Sequence, residues 1–146
     1  MKITLCGSIS AYEEMLKIKT KLEVLGHDVK LPPSEITDGN GKIISVAQYY
    51  EIRKSGREDA WIWDVKREAI LNHFAKENWA EAILVVNTEK KHIPRYIGAN
   101  TLIEMGVALF LNKKIYLLNP IPDIDCREEI LGMRPVVING DLRKII

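Results

Sequence analysis

The sequence has only two cysteines, Cys6 and Cys126, far apart and without a CxxC pair. That excludes a disulfide framework and a cysteine-rich zinc module, and it fits a reduced, cytoplasmic protein. Neither sign of charge is in excess, because 21 Lys and Arg against 20 Asp and Glu leave a formal +1. A chain so balanced has no bulk electrostatic reason to hold a nucleic acid polymer or an anionic membrane surface. Long hydrophobic runs are missing too: Lys113 and Lys114 interrupt the best candidate, short of the ~18 residues a membrane span needs. The opening MKITLCGS lacks the apolar stretch of a secretory signal, so no leader is expected. Histidines are few. His27, His73 and His92 stand apart without HxxxH or Cys/His spacing, so no metal site is expected. There are no internal repeats and no low-complexity segments.

What is present is ordinary globular material: 146 residues, 47% apolar and 28% charged, enough for a single domain over 1–146. Its partner is expected to be a small molecule. KITLC (2–6) is an apolar, β-branched run ended by Gly7, the signature of a strand. From about Ser10 to Leu25 the residues Met15, Leu16, Ile18, Leu22 and Leu25 recur at helical spacing, and Gly26 closes that helix. HDVKLP predicts a second strand stopped by Pro32 and Pro33, then a loop over SEITDGNGK, then two helices filling 43–79. Within that loop GNGK (39–42) lacks the GxxxxGK[ST] spacing of a phosphate loop. AILVVN (82–87) and KIYLLNP (114–120) show no alternation, as expected of strands buried on both faces of a parallel sheet, and PVVI supplies a last short strand. Strands alternating with helices predict an open, doubly wound α/β sheet whose ligands sit outside the carboxyl ends of its strands.

That geometry selects the loops that matter. After the first strand comes GSIS, where the backbone of Gly7 and a hydroxyl of Ser8 or Ser10 can receive an anion, or where a serine simply caps the next helix. The basic loop TEKKHIPRY offers Lys90, Lys91 and Arg95 to a phosphate, or to solvent. Asn119, at the end of another strand, can donate to a ligand or start a turn with Pro120. Trp61 and Trp63, two apart on a helix, cannot share a face, so one is expected to be partly exposed.

The stretch IGANTLIEMG raises the sharpest question. A helix over about 101–112 carries apolar residues around nearly its whole circumference, so it is expected to be buried on most sides, and Glu104 with it. An uncompensated buried carboxylate costs several kcal/mol, about the scale of a domain's net stability. Three arrangements resolve this. Thr101 and Glu104 can form a capping box at the helix start. The carboxylate can face the cleft and attack an electrophile such as an anomeric carbon. Or it can bind ligand hydroxyls without doing chemistry.

LCGSI near the start, WAEAILVVN in the middle and GANTLIEMGVALFLNKKIYLL together resemble the nucleoside 2-deoxyribosyltransferase superfamily, which includes the 2'-deoxynucleoside 5'-phosphate N-hydrolases. The resemblance covers roughly residues 2–119. It implies a flavodoxin-like, Rossmann-like sheet with helices on both faces, no cofactor, and a homo-oligomer. It further implies that Glu104 is the nucleophile on C1' of a deoxyribose, with Gly7, Ser8 and Ile9 matching a Gly-Ser-Ile turn whose serine contacts a 5'-phosphate. Four positions depart from the pattern. Ser10 stands where hydrolases usually have Arg, and Thr4 where a tyrosine orients the Glu. Gly98 replaces an Asp or Ser, so recognition from that position is either lost or moved to Asn100. His73 falls where the family has its acid/base Asp, and a histidine can do that proton chemistry near neutral pH, or it can be a packing residue beside Phe74.

The expectation is therefore a cytoplasmic N-glycosidic-bond enzyme for a nucleoside or nucleotide, with Glu104 and His73 catalytic and Thr101 beside them. The alternative is a nucleotide-binding or regulatory module that keeps the cleft without catalysis.

Overall fold

In the computed structural model, which describes all 146 residues, the first apolar run forms strand β1 (Lys2–Cys6). A 3-10 turn at Ile9–Ala11 leads into α1 (Tyr12–Val24), whose Met15, Ile18 and Leu22 are its buried stripe. Strand β2 (Asp28–Lys30) is followed by β3 (Glu35–Thr37), β4 (Ile43–Ser45), α2 (Val46–Lys54) and the long α3 (Ala60–Trp79). Then come β5 (Ala82–Val85), α4 (Ala99–Phe110), β6 (Lys114–Leu117), α5 (Arg127–Gly132) and β7 (Val136–Val137).

Five strands form one parallel sheet in the order β2-β1-β5-β6-β7. This is the flavodoxin-like order, and the chain reverses direction across the sheet between β1 and β5, where such folds open a ligand crevice. The pleat sorts the side chains. Ile3 and Leu5 of β1 pack with Ala82 and Leu84 against Met15, Ile18 and Leu22 of α1. Cys6 points to the other side with Ile83, Val85, Met105 and Ala108. A period-two strand thus delivers Thr4 and Cys6 to the face covered by α3 and α4. No helix is long and apolar enough to cross a membrane.

Several expectations need correction. The stretch over 34–42 is not a plain loop: β3 and β4 pair as an antiparallel hairpin, Ile36 opposite Ile44. Asp38 closes its turn, its carboxylate accepting from the backbone N–H of Asn40 at 2.8 Å and of Lys42 at 2.9 Å. Hence the first helix after it begins at Val46 and not at 43, and it carries a genuine capping box, with Gln48 N–H donating to Ser45 Oγ and Ser45 N–H donating to the Gln48 side chain. The short α5 lies in a segment with no predicted element. Trp61 packs against Tyr49 with ring centroids 6.3 Å apart, while Trp63 is exposed, as the two-residue spacing required.

Helix α4 departs most. It begins at Ala99 with Gly98 as its N-cap and no side-chain capping bond. Thr101 therefore lies inside the first turn, and the Thr101–Glu104 capping box does not form. Nor is α4 buried on most sides: only Thr101, Met105 and Ala108 are, whereas Ile103 and Phe110 are 51% and 84% exposed.

Candidate active site

At the carboxyl end of β1 and β5 lies a cleft of about 410 Å³. Its rim begins at Gly7, where a Cβ would meet the Val86 carbonyl oxygen at 3.0 Å and the Met15 side chain at 2.7 Å, so only glycine lets the strand end pass that close. Ser8 follows, and its hydroxyl gathers donors: the Lys90 ammonium at 2.8 Å, the Ser10 hydroxyl at 3.0 Å and the Ser10 N–H at 3.4 Å. Lys90 reaches it from a tight turn, Lys90–Ile93, whose central residues Lys91 and His92 both have positive φ, 52° and 64°. Such a turn holds its flanking residues in fixed register, which is what aims Lys90 inward.

The floor is built by three elements. Cys6 ends β1, His73 and Glu77 stand one turn apart on the inner face of α3, and Glu104 comes from α4. Cys6 Sγ lies 3.4 Å from His73 Nε2 and donates to Glu77 Oε1 at 4.0 Å. His73 Nε2 is 3.7 Å from Glu104 Oε1. His73 Nδ1, Glu77 Oε2 and Glu104 Oε2 are buried and have no hydrogen-bond partner. Polar atoms left this way cost about 1–3 kcal/mol each, more for a charge.

The electrostatics follow from that burial. Desolvation pushes the Glu104 carboxyl up to about 7, against the opposing pull of the Cys6 hydrogen bond and the Lys66 charge. Glu77 rises to about 8, by desolvation first and then by Glu104. His73 falls to about 4 through desolvation, with the Lys76 charge adding to it. Burial raises the Cys6 thiol as well, helped by the two carboxylates. Near neutral pH the imidazole is neutral and the cluster's protons sit on carboxyl and thiol groups. Burial thus holds the His73 imidazole neutral at rest.

The cleft takes in Gly7, Ser8, Ile9, Gly98, Asn100 and Thr101 together with Glu104 and His73. Three other candidates are not at its wall. Thr4 is fully buried in β1 and donates its hydroxyl to the Lys76 carbonyl at 2.8 Å, tying strand to helix and leaving it nothing to offer a ligand. Ser10 is exposed and spends its hydroxyl on Ser8. Asn119 is locked to Asn87: its N–H donates to Asn87 Oδ1 at 2.9 Å and its amide donates to the Asn87 carbonyl at 3.0 Å. At Gly98 a Cβ would lie 3.0 Å from the Tyr96 ring, so Tyr96 fills the space a side chain there would occupy. Of the basic residues in the 88–96 loop only Lys90 lines the cleft, together with Tyr96.

Sequence reading missed Arg53, Lys66, Cys6 and Glu77. The helical face Ile62, Lys66, Ala69, His73, Glu77 is legible at three- and four-residue spacing, and a carboxylate one turn after His73 on that face was the available signal. Arg53 lies over the Tyr50 ring, 4.7 Å from its centroid, with Nε buried and unpartnered. Lys66 is held below its ordinary pKa by burial and by Arg53. The fold also gathers a thiol, an imidazole and two carboxyls that no sequence spacing announces.

Fold and cleft together define a flavodoxin-like α/β protein with a titratable cluster at its switch point. No protein-family model and no curated protein sequence matches the chain. Among solved structures it is similar to a 2-deoxyribosyltransferase from Bacillus psychrosaccharolyticus, at 17% identity and a TM-score of 0.51 over 80% of this chain and 71% of that one. It is also similar to the CMP N-glycosidase BcmB of Clostridium botulinum, at 15% identity and a TM-score of 0.50 over 95% of this chain and 90% of that one. At such identity the likeness establishes a shared fold.

Proposed function

We propose that the protein is an enzyme of the N-glycosidic bond, a hydrolase or a 2-deoxyribosyltransferase-like transferase, acting on a nucleoside or nucleotide and more specifically a 2'-deoxy one. The observation that carries this reading is Glu104: a carboxyl group on the cleft wall at the switch point, with one buried oxygen unpartnered and no lysine or arginine within ion-pair distance. A structural carboxylate is consumed by its partners, and this one is not. The fold shared with a 2-deoxyribosyltransferase and a CMP N-glycosidase supports the same bond as the target.

In this reading the ionised fraction of Glu104 attacks C1' of the sugar. A C1'–oxygen ester bond forms as the C1'–nitrogen bond breaks, and the electron pair leaves with the base, which takes up a proton. That proton comes from the protonated groups of the cluster by way of His73, which both touches Glu104 and lines the cleft. Water or a second base then displaces Glu104 from C1'. A nucleotide's negative charge is met by Lys90, Lys66 and Arg53, all at the cleft wall. The exposed Ile103, Leu109 and Phe110 on α4 support self-association of the chain.

The test is incubation with a panel of nucleosides and 5'-monophosphates followed by detection of free base. Release from at least one 2'-deoxy member is expected. Tight binding across the panel with no base released would establish the binding-module alternative instead.

A further inference from the structure

Beneath the cleft, Cys6, His73, Glu77 and Glu104 each present one ligand-type atom, and the four atoms lie within 4.8 Å of one another. Sulfur lies 3.4 Å from the imidazole nitrogen and 4.0 Å from the Glu77 oxygen, and that nitrogen lies 3.7 Å from the Glu104 oxygen. Ligands of a tetrahedral zinc ion, at about 2.3 Å for sulfur and about 2.0 Å for nitrogen or oxygen, stand roughly 3.2–3.7 Å apart. Small side-chain movements therefore close the cage. The set is also rigid, because it is drawn from a strand end and two packed helices, with Cys6 and Glu77 fully buried and His73 4% exposed.

What the cluster lacks is a positive partner that would hold its carboxyls ionised. Two carboxyls stand close together, Glu77 buried and Glu104 15% exposed at the cleft, and the only ion-pair contact either makes is that of Glu104 with His73. The unpartnered oxygens of Glu77 and Glu104 mark the same deficit. A lysine or arginine side chain from the surrounding walls does not fill it. A single compact cation does, and the mix of thiolate, imidazole and carboxylate selects among cations: magnesium and calcium prefer all-oxygen sets, whereas zinc and cobalt accept sulfur and nitrogen. His73 and Glu104 line the cleft, so an ion reaches the cage from solvent.

We infer that these four residues form a binding site for a divalent ion of the zinc class. Resting on the reading of Glu104 as nucleophile, the site has a consequence for activity: an ion held by its carboxylate withholds that carboxylate from C1', so the bound metal inhibits. Metal-free protein is the active form, and zinc is its regulator.

The experiment is titration of chelator-treated full-length protein with Co²⁺ alone, followed by Zn²⁺ displacement. One Co²⁺ per chain is expected, with near-ultraviolet thiolate-to-cobalt charge transfer and strong visible bands of a four-coordinate ion. Cys6→Ser should abolish the charge-transfer band, and Glu77→Gln should weaken binding about tenfold or more. Mg²⁺ should not compete. Absence of stoichiometric uptake overturns the site, and so does uptake whose spectrum and affinity survive both substitutions. Should either variant fail to fold, the wild-type melting temperature is the second readout: it should rise with Zn²⁺ concentration, and an unchanged value overturns the proposal. None of this needs substrate. Cobalt binding through Cys6 in a protein that releases no base removes the glycosidic reading and keeps the site, whereas base release undiminished by saturating Zn²⁺ overturns the inhibitory role.

Discussion

Two polar clusters sit at the carboxyl ends of neighbouring strands and have opposite characters. After β5, Asn87 is fully buried, yet every polar atom of its side chain is used: its amide donates to the carbonyls of Asn119 and Pro120 at 3.1 and 3.2 Å, and its oxygen accepts from Asn119 N–H. After β1, Cys6, His73 and Glu77 are buried and Glu104 is partly open to the cleft, and the group leaves three polar atoms unpartnered. The first cluster is complete as a structure, and it staples two strand ends together. The second is incomplete without something that binds, which is why function is assigned there and not to Asn119.

The comparison can be broken in several places. Glu104→Gln should reduce base release by at least about a thousandfold, since an amide is a far poorer nucleophile, while changing stability by less than about 1 kcal/mol. Comparable turnover in that variant would take Glu104 out of the chemistry. His73→Asn should slow base release about a hundredfold and leave nucleotide affinity within a few-fold, because proton transfer and binding are separate tasks. Unchanged turnover would return His73 to packing. On the satisfied side the effect should fall on the fold. Asn87→Ala strands the Asn119 N–H and neighbouring carbonyls and should cost about 2–3 kcal/mol in denaturant unfolding, with activity per folded molecule preserved.

Glu77 gives a pH-dependent contrast in chelator-treated protein. Its carboxyl titrates near the ordinary 4.5 when unfolded and at about 8 when folded, so the native state holds the extra proton in between. Stability from this group is complete below about pH 4.5 and declines as pH rises toward 8. Glu77→Gln should flatten that decline and make the metal-free protein more stable than wild type at pH 8; a steeper decline would contradict the assignment. Smallest of all, Trp63→Ala, at an exposed position away from the cluster, should shift stability by less than about 0.5 kcal/mol.

Much of the fold was legible because it rests on local pattern. Unbroken apolar runs at 82–87 and 114–120 marked the parallel strands, and Gly26 marked the end of α1. The β3–β4 hairpin was hidden because Asp38, a single side chain, organises its turn, and turn residues alone read as loop. α4 misled because its apolar circumference suggested full burial, whereas composition does not say which face meets the sheet. Within the cleft, Ser8 could be placed from the rule that ligands lie at strand ends, and Glu104 from its isolation in an apolar helix together with the family resemblance. Cys6 and Glu77 could not, because their meaning arises only when β1, α3 and α4 pack together.

The most direct test is a structure of the Glu104→Gln variant soaked with a 2'-deoxynucleoside 5'-monophosphate. C1' is predicted within about 3–3.5 Å of the substituted side chain's oxygen, a near-attack distance, with the base toward His73 and the phosphate toward Ser8 and Lys90. A nucleotide bound elsewhere, or one seated in the cleft with C1' turned away from residue 104, would contradict the account.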